Sequence, residues 1–200
     1  MLTLYTNPQS RGRMARWMLE ELGEPYDTVI LDYATTMKAP AYLAINPMGK
    51  VPTLVHDGQI ITEVAAICTY LAQAFPEAGL MPKDKAAFYR WMFFAAGPLE
   101  QAVVNTLLDW IPAPERERAV GYGNLTHVVA TLTGHLAEHT YVCGESFSAA
   151  DVYLGGQIGW GLGFGGLPAN DTLTAYWQRL AARPALARAN AADDALMKGT

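Results

Sequence analysis

With 200 residues, 51% of them hydrophobic, and a formal charge of −5, the chain is long enough for one large domain or two small ones, and too apolar to be disordered. The acidic balance argues against a nucleic-acid partner, since phosphate binding needs a concentrated basic face; the one local basic cluster, Arg11, Arg13 and Arg16, reads as solvated surface or as an attractor for an anionic ligand. No apolar run reaches the ~20 residues of a membrane helix and no signal peptide is read before the strand-like start, so the expectation is a cytoplasmic protein with no membrane partner.

Leu2-Thr3-Leu4-Tyr5 reads as a short strand that Asn7-Pro8 breaks. Over residues 10–22, Met14, Trp17, Met18 and Leu22 recur at helical spacing, and Gly23 is a natural stop. Residues 26–31 alternate and are rich in strand formers, and a strand-helix-strand order favours a right-handed crossover between parallel strands. Residues 35–45 form a loop with a short helix, closed by Asn46-Pro47. A strand over residues 51–55, a hairpin turn at Asp57-Gly58 and a return over residues 59–61 come next. A helix then starts at Thr62 or Glu63, with Ala66, Ile67, Tyr70 and Leu71 as its apolar face. The βαβ-ββα order predicts an α/β domain over residues 1–75, a four-stranded mixed sheet with helices against it.

Pro76, Gly79 and Pro82 mark a linker over residues 76–84, and residues 85–200 read as an all-helical domain. A long helix over residues 85–110 should bend or loosen at Gly97-Pro98, and Pro112-Ala113-Pro114 ends it. Residues 115–139 read as one further helix and residues 172–182 as another, with an alanine-rich tail over residues 185–195. Between them, Ser148-x-x-Asp151 is a capping-box variant opening a buried helix. His127, His135 and His139 have helical spacing but no acid partner or metal pattern, so they read as surface or packing residues and no metal site is expected. Cys68 and Cys143 lie far apart and suit buried thiols in a reducing compartment.

Several of these fragments carry one resemblance. Asn46-Pro47-Met48-Gly49-Lys50-Val51-Pro52-Thr53-Leu54, followed by Asp57-Gly58 and Thr62-Glu63-Val64-Ala65-Ala66-Ile67, resembles the cytosolic glutathione transferases, in a bacterial and serine-type-like form. Phe147-Ser148-Ala149-Ala150-Asp151 is similar to the family's buried capping motif, and Arg183-Pro184-Ala185-Leu186 to its usual ending. The likeness spans nearly the whole chain. It implies a thioredoxin-like N-terminal domain that holds glutathione, an all-helical C-terminal domain, and a homodimer. It also implies a cis Pro52, which presents the backbone of Val51 to the cysteinyl group as an added strand would. Glu63 would accept from the γ-glutamyl ammonium, while helix amides donate to the neighbouring carboxylate. Lys50 or Lys38 would meet the glycyl carboxylate. Here the chain departs from the family, which has serine after this acid where this sequence has Val64.

The chemistry asked of such a site is ionisation of a thiol. A thiol of pKa ~8.5 is only about 3% ionised at pH 7. Lowering it by ~2 units takes roughly 2.7 kcal/mol, within reach of one hydroxyl hydrogen bond to charged sulfur at a helix start. Ser10, at the junction of the first strand and helix and in a Ser-x-x-Arg pattern with Arg13, is the candidate; its plainer reading is a helix cap. Tyr5 is the rival, and no cysteine lies in the first turn. The electrophile pocket is expected from Phe94, Pro98, Gln101 and Trp110, with Phe164 in the glycine-rich run that starts at Trp160, a run equally readable as close helix packing. The expected function is a detoxifying glutathione transferase acting on small hydrophobic electrophiles, with glutathione as co-substrate and no covalently bound cofactor. The alternatives are a glutathione-dependent disulfide or peroxide reductase and a non-catalytic binding module, for which Val64 is the best support.

Overall fold

In the computed structural model, which describes residues 1–197, alternation in the first strand, β1 (Leu2–Thr6), sends Leu2, Leu4 and Thr6 to one buried face and Thr3 and Tyr5 to the other. Helix α1 (Gly12–Leu22) starts two residues later than its apolar spacing suggests, because the chain first closes a turn in which the Ser10 amide donates to the Asn7 carbonyl (3.1 Å). Strand β2 (Tyr26–Ile30) lies parallel to β1; a 3-10 turn (Thr36–Lys38) and the short helix α2 (Pro40–Leu43) lead to β3 (Thr53–His56) and β4 (Gln59–Thr62). The sheet order is β2-β1-β3-β4, with β3 antiparallel to both neighbours, the mixed four-stranded sheet expected of a thioredoxin-like domain. The Val51–Pro52 peptide is cis. Helix α3 (Val64–Ala74) buries Val64, Ile67, Cys68, Leu71 and Ala72. Its inner face is therefore rotated from the expected one: Ala66 is exposed, and half-buried Tyr70 lies 2.9 Å from Nδ1 of His56.

The chain forms two compact units, Met1–Leu80 together with the chain from Ala182 on, and Met81–Ala181. The last helix, α9 (Pro184–Met197), expected as an alanine-rich tail of the helical half, belongs to the first unit and packs on α1. Small residues let it approach, and charges register it. Arg13 pairs with Asp194 (2.6 Å), Arg16 with Asp193 (2.9 Å), Glu21 with Arg183 (2.6 Å) and Glu20 with Arg188 (2.9 Å). The reading of the arginine cluster as solvated surface is corrected for Arg16 and Arg13: Arg16 is 4% exposed against a wholly buried Asp193. Burial raises the Asp193 carboxyl from its ordinary range, and the adjacent guanidinium of Arg16 pulls it back down.

The second unit holds α4 (Lys85–Phe94), a π-helical turn (Ala95–Leu99), α5 (Glu100–Leu107), α6 (Leu125–Glu138), α7 (Ala149–Phe164) and α8 (Asp171–Ala181). The wide turn sits where Pro98 removes an amide donor, so the loosening expected at Gly97-Pro98 is present. The helix expected over residues 115–139 is two elements: a 3-10 turn (Pro114–Ala119) and, beyond Gly123 at φ 68°, α6, whose first turn is capped by Asn124 (2.9 Å to the His127 amide). Helix α7 is apolar nearly all round and correspondingly buried. A Cβ at Gly159 would come within 2.6 Å of the Trp177 ring, so there the glycine-rich run serves close helix packing. His135 is a packing residue: its ring lies 4.3 Å from that of Trp91 and 4.2 Å from that of His139, Nε2 is 2.8 Å from the Val142 carbonyl, and burial pushes it down from its ordinary value.

The capping box forms as expected. Asp151, wholly buried, accepts from the Ser148 amide and hydroxyl (both 2.9 Å), the Val142 amide and the Tyr176 hydroxyl (both 2.8 Å). Asp151→Ala strands two buried amides and should cost about 3 kcal/mol or more in urea unfolding, against ~1 for an exposed cap, with Asp151→Asn in between. Burial raises the Asp151 carboxyl, so the folded state keeps this proton longer than the unfolded state. The stability this group contributes therefore falls as pH rises from the ordinary aspartate range through the raised value, a slope that Asp151→Asn should flatten.

Candidate active site

Strand register gathers three turns at one end of the sheet. Tyr5 stands opposite Thr53, and Thr53 opposite Thr62, so these three form a row across β1, β3 and β4. Just beyond the row lie the turn leading to Ser10, the Val51–Pro52 peptide, and Glu63. Because α1 follows β1 and α3 follows β4, both helices also begin at this end. Their first-turn amides have no carbonyl partner within the helix and make it positive.

In the first turn every carbonyl of residues 7–10 has a donor. The Asn7 carbonyl takes the Ser10 amide (3.1 Å) and hydroxyl (2.7 Å), that of Pro8 takes Nε of Arg13 (2.6 Å), that of Gln9 the Tyr33 hydroxyl (3.0 Å), and that of Ser10 the Arg13 amide (3.2 Å). Asn7 itself donates to the Leu31 carbonyl (2.8 Å). The Ser10 hydroxyl also accepts the Gly12 amide (2.9 Å), so it closes the helix start, 6% exposed.

The second turn is held by a set of three side chains, two of which bond one carbonyl. The Lys50 carbonyl accepts from the Tyr42 hydroxyl (2.5 Å) and from Nδ2 of Asn46 (2.9 Å). The second Nδ2 proton of Asn46 reaches the hydroxyl of buried Thr53 (3.1 Å), which lies 2.8 Å from that of Tyr42. With the Tyr42 proton committed to Lys50, the Thr53 hydroxyl is the donor between them, and every proton of the set is used. Gly49, at φ 56°, lets the chain turn beneath this set, and a Cβ there would meet the Met37 carbonyl at 3.1 Å. Nζ of Lys38 donates to the Gly49 carbonyl (2.5 Å), which puts Lys38 on this turn; the side chain of Lys50 is exposed. Tyr5 and Val51 both pack against the cluster of Leu31, Met37 and Tyr42, so the Tyr5 ring and the residue before the cis peptide share one apolar cluster.

Glu63 occupies the third turn at φ 66°, ψ 123°, unusual for a residue with a side chain. It is exposed and its carboxylate does not cap α3, whereas Asp84, Asn124 and Asn170 cap the starts of α4, α6 and α8. An acid held in a costly conformation without a capping duty is the kind of strain that collects at ligand sites. Val64 is buried behind it and offers only its backbone. Neither cysteine supplies a nucleophile: burial pushes the thiols of Cys68 and Cys143 up to about 12.

The five apolar-pocket candidates all lie in the second unit. Phe94 and Pro98 are half-buried, at the end of α4 and in the π-helical turn, and Gln101 is exposed on α5. Trp110 is 66% and Phe164 69% exposed. A hollow lined by Thr106, Ile111, Pro112, Tyr122 and Leu125 together with Glu117 and Asn124 includes none of the five. Sequence reading did not single out Tyr42 or Thr53 and saw no fastening role for Arg13; Asn46 entered only as part of a turn motif. Among the described residues no three metal-ligating side chains gather, and no helix is long and apolar enough to cross a membrane.

Residues 10–74 match the family described as glutathione S-transferase, N-terminal domain, and residues 87–184 its C-terminal domain. A glutathione S-transferase, GST-4.5, from Xanthomonas campestris is 29% identical over 194 residues, covering 90% of this chain and 93% of that one. Glutathione S-transferase 3 of Zea mays is 30% identical over 211 residues, covering 96% and 94%. A glutathione transferase homologue from Sulfitobacter, solved with bound glutathione, superposes with a TM-score of 0.74 at 32% identity, covering 94% and 96%.

The shared Lys50 carbonyl sets a test of the second turn. Tyr42→Phe should cost about 1 kcal/mol and Asn46→Ala about 2 in urea unfolding. The double variant should lose more than both together, because only then is that carbonyl without either donor. Simple additivity would show that the two side chains act separately.

Proposed function

Because the chain belongs to the glutathione S-transferase family, we propose that it binds glutathione where the three turns meet and activates the thiol for attack on a small hydrophobic electrophile. The observation that carries this reading is the common sheet end at which Ser10, Val51 and Glu63 lie with the starts of α1 and α3. Glutathione has two carboxylates, one ammonium and one thiol. Glu63 takes the ammonium, and the first-turn amides of α3 take the adjacent carboxylate, standing in for the hydroxyl that Val64 lacks. Val51 pairs through its backbone two residues ahead of the first paired position of β3, shaped by Pro52, and Lys38 or Lys50 meets the glycyl carboxylate.

Ser10 then stabilises the sulfur anion. Its proton points to the Asn7 carbonyl, which keeps the Ser10 amide as a donor if the hydroxyl turns away. Redirecting that bond costs about 0.5–1.5 kcal/mol, and a bond to charged sulfur contributes about 1.5–3. The Gly12 amide donating into the same oxygen polarises its O–H, so the hydroxyl transmits the positive end of α1 to the sulfur. The thiolate attacks a small hydrophobic electrophile, for which Phe94, Pro98, Gln101, Trp110 and Phe164 are the candidate contacts. The protein works in the cytoplasm as a homodimer, a second copy covering the exposed pair Tyr89 and Phe93 on one face of α4.

Ser10→Ala should lower turnover with chlorodinitrobenzene about tenfold or more and leave glutathione affinity within about twofold by calorimetry, with Tyr5→Phe near wild type. A silent Ser10→Ala beside an impaired Tyr5→Phe moves thiol activation to Tyr5. Reduction of hydroxyethyl disulfide faster than conjugation replaces the transferase reading with the reductase one. Glu63→Gly should weaken glutathione binding while raising unfolding free energy by about 1 kcal/mol, since glycine adopts the positive φ without strain.

A further inference from the structure

We propose that Arg13 is a positioning residue through which the C-terminal helix α9 sets the geometry of the Ser10 turn. The inference rests on the thiol-activating role given to that turn above. Nε of Arg13 donates to the Pro8 carbonyl (2.6 Å), and the far side of the same guanidinium reaches α9: Nη2 to Asp194 (2.6 Å) and to the Met197 sulfur (3.8 Å), Nη1 to Asn190 (3.4 Å). The other donors to the carbonyls of residues 7–10 come from the turn itself or from Tyr33, so Arg13 is the tie that crosses to an element more than 170 residues away. The side chain is 20% exposed and its guanidinium is planar, so the contacts of Nη2 with Asp194 and of Nη1 with Asn190 orient the N–H at Nε. Lysine has the charge but not the rigid fork.

The turn has no slack to absorb a loss at Pro8. The same stretch, residues 7–12, carries the Ser10 amide and hydroxyl bonds to Asn7 and the Gly12 bond to the Ser10 hydroxyl, and a catalytic hydroxyl displaced by about 1 Å can lose up to ~10²-fold in rate. Three further ion pairs, Arg16–Asp193, Glu21–Arg183 and Glu20–Arg188, dock α9 without touching the turn. Positioning by Arg13 is thus separable from docking of the helix.

The test compares Arg13→Lys and Asp194→Asn with Arg188→Ala, which weakens docking at a pair away from the turn. Three readouts apply: amide exchange at Ser10 and Gly12 in the glutathione-free protein, ultraviolet titration of the bound thiol, and kcat with KM for conjugation. Arg13→Lys and Asp194→Asn should speed exchange at these amides about tenfold, raise the midpoint of the bound thiol by ~1 unit, and lower kcat about tenfold at unchanged KM for glutathione. Arg188→Ala should lower the melting temperature and move none of the three. If Arg13→Lys and Asp194→Asn behave like Arg188→Ala, Arg13 only fastens the helix and the inference is overturned. If the wild-type protein does not lower the thiol midpoint at all, the proposed function fails instead, and exchange in the free protein decides the coupling by itself.

Discussion

The row Tyr5–Thr53–Thr62 is the constraint on which the rest of the site depends. Side chains alternate along a strand, so a slip of one residue in either pairing would turn Leu4 or Leu54 outward and bring Tyr5 or Val55 into the core. The buried leucines thereby forbid the slip, and in doing so fix which residues lie beyond the row. Two helices begin where strands of that row end, so the register also decides that two positive helix starts share one end of the sheet. Core packing and ligand electrostatics are here a single decision of the fold.

Much of the first unit was legible because its signals are local. Alternation marks β1, Asp57-Gly58 marks the hairpin between β3 and β4, and the apolar spacing marks α1. What failed locally was phase and punctuation: Ala66 and Tyr70 fit the helical period yet sit off the buried face of α3, and the helix read through residues 121–124 stops there because the Asn124 cap restarts the count. The return of α9 to α1 was illegible for a different reason. Its partners lie more than 160 residues apart, and an arginine paired at that separation has the same sequence signature as a solvated one. Tyr42 was missed because it acts on a backbone carbonyl, a partner every residue offers, and Thr53 because it acts only through the side chains of Tyr42 and Asn46. Ser10, Val51 and Glu63 entered through a family likeness, and Glu63's positive φ has no sequence signature at all.

At Glu63 the backbone departs from its local preference. A residue at the start of an eleven-residue helix ordinarily relaxes into an extended conformation and caps it, as Asp84 and Asn124 do elsewhere in the chain. Glu63 does neither, at a conformational cost of about 1–3 kcal/mol that the flanking β4 and buried Val64 sustain. The same choice explains why valine is tolerable after it. Turning the acid outward leaves the first-turn amides of α3 uncovered, and those amides do not depend on the side chain that carries them. A missing hydroxyl removes one donor from a place that already has several.

The thiols close the remaining chemical question. At a pKa of about 12, Cys68 and Cys143 are protonated throughout the physiological range, and they sit in different units of the chain. A protein disulfide cycle needs at least one accessible thiolate, so a sulfur anion used at this site has to arrive with the ligand. That requirement agrees with the charge layout at the sheet end, where a polarised hydroxyl and two helix starts favour an anion and one exposed acid balances a cation. The protein's own thiols are held protonated by burial, and the polar groups at this end of the sheet leave room for a sulfur brought by a ligand.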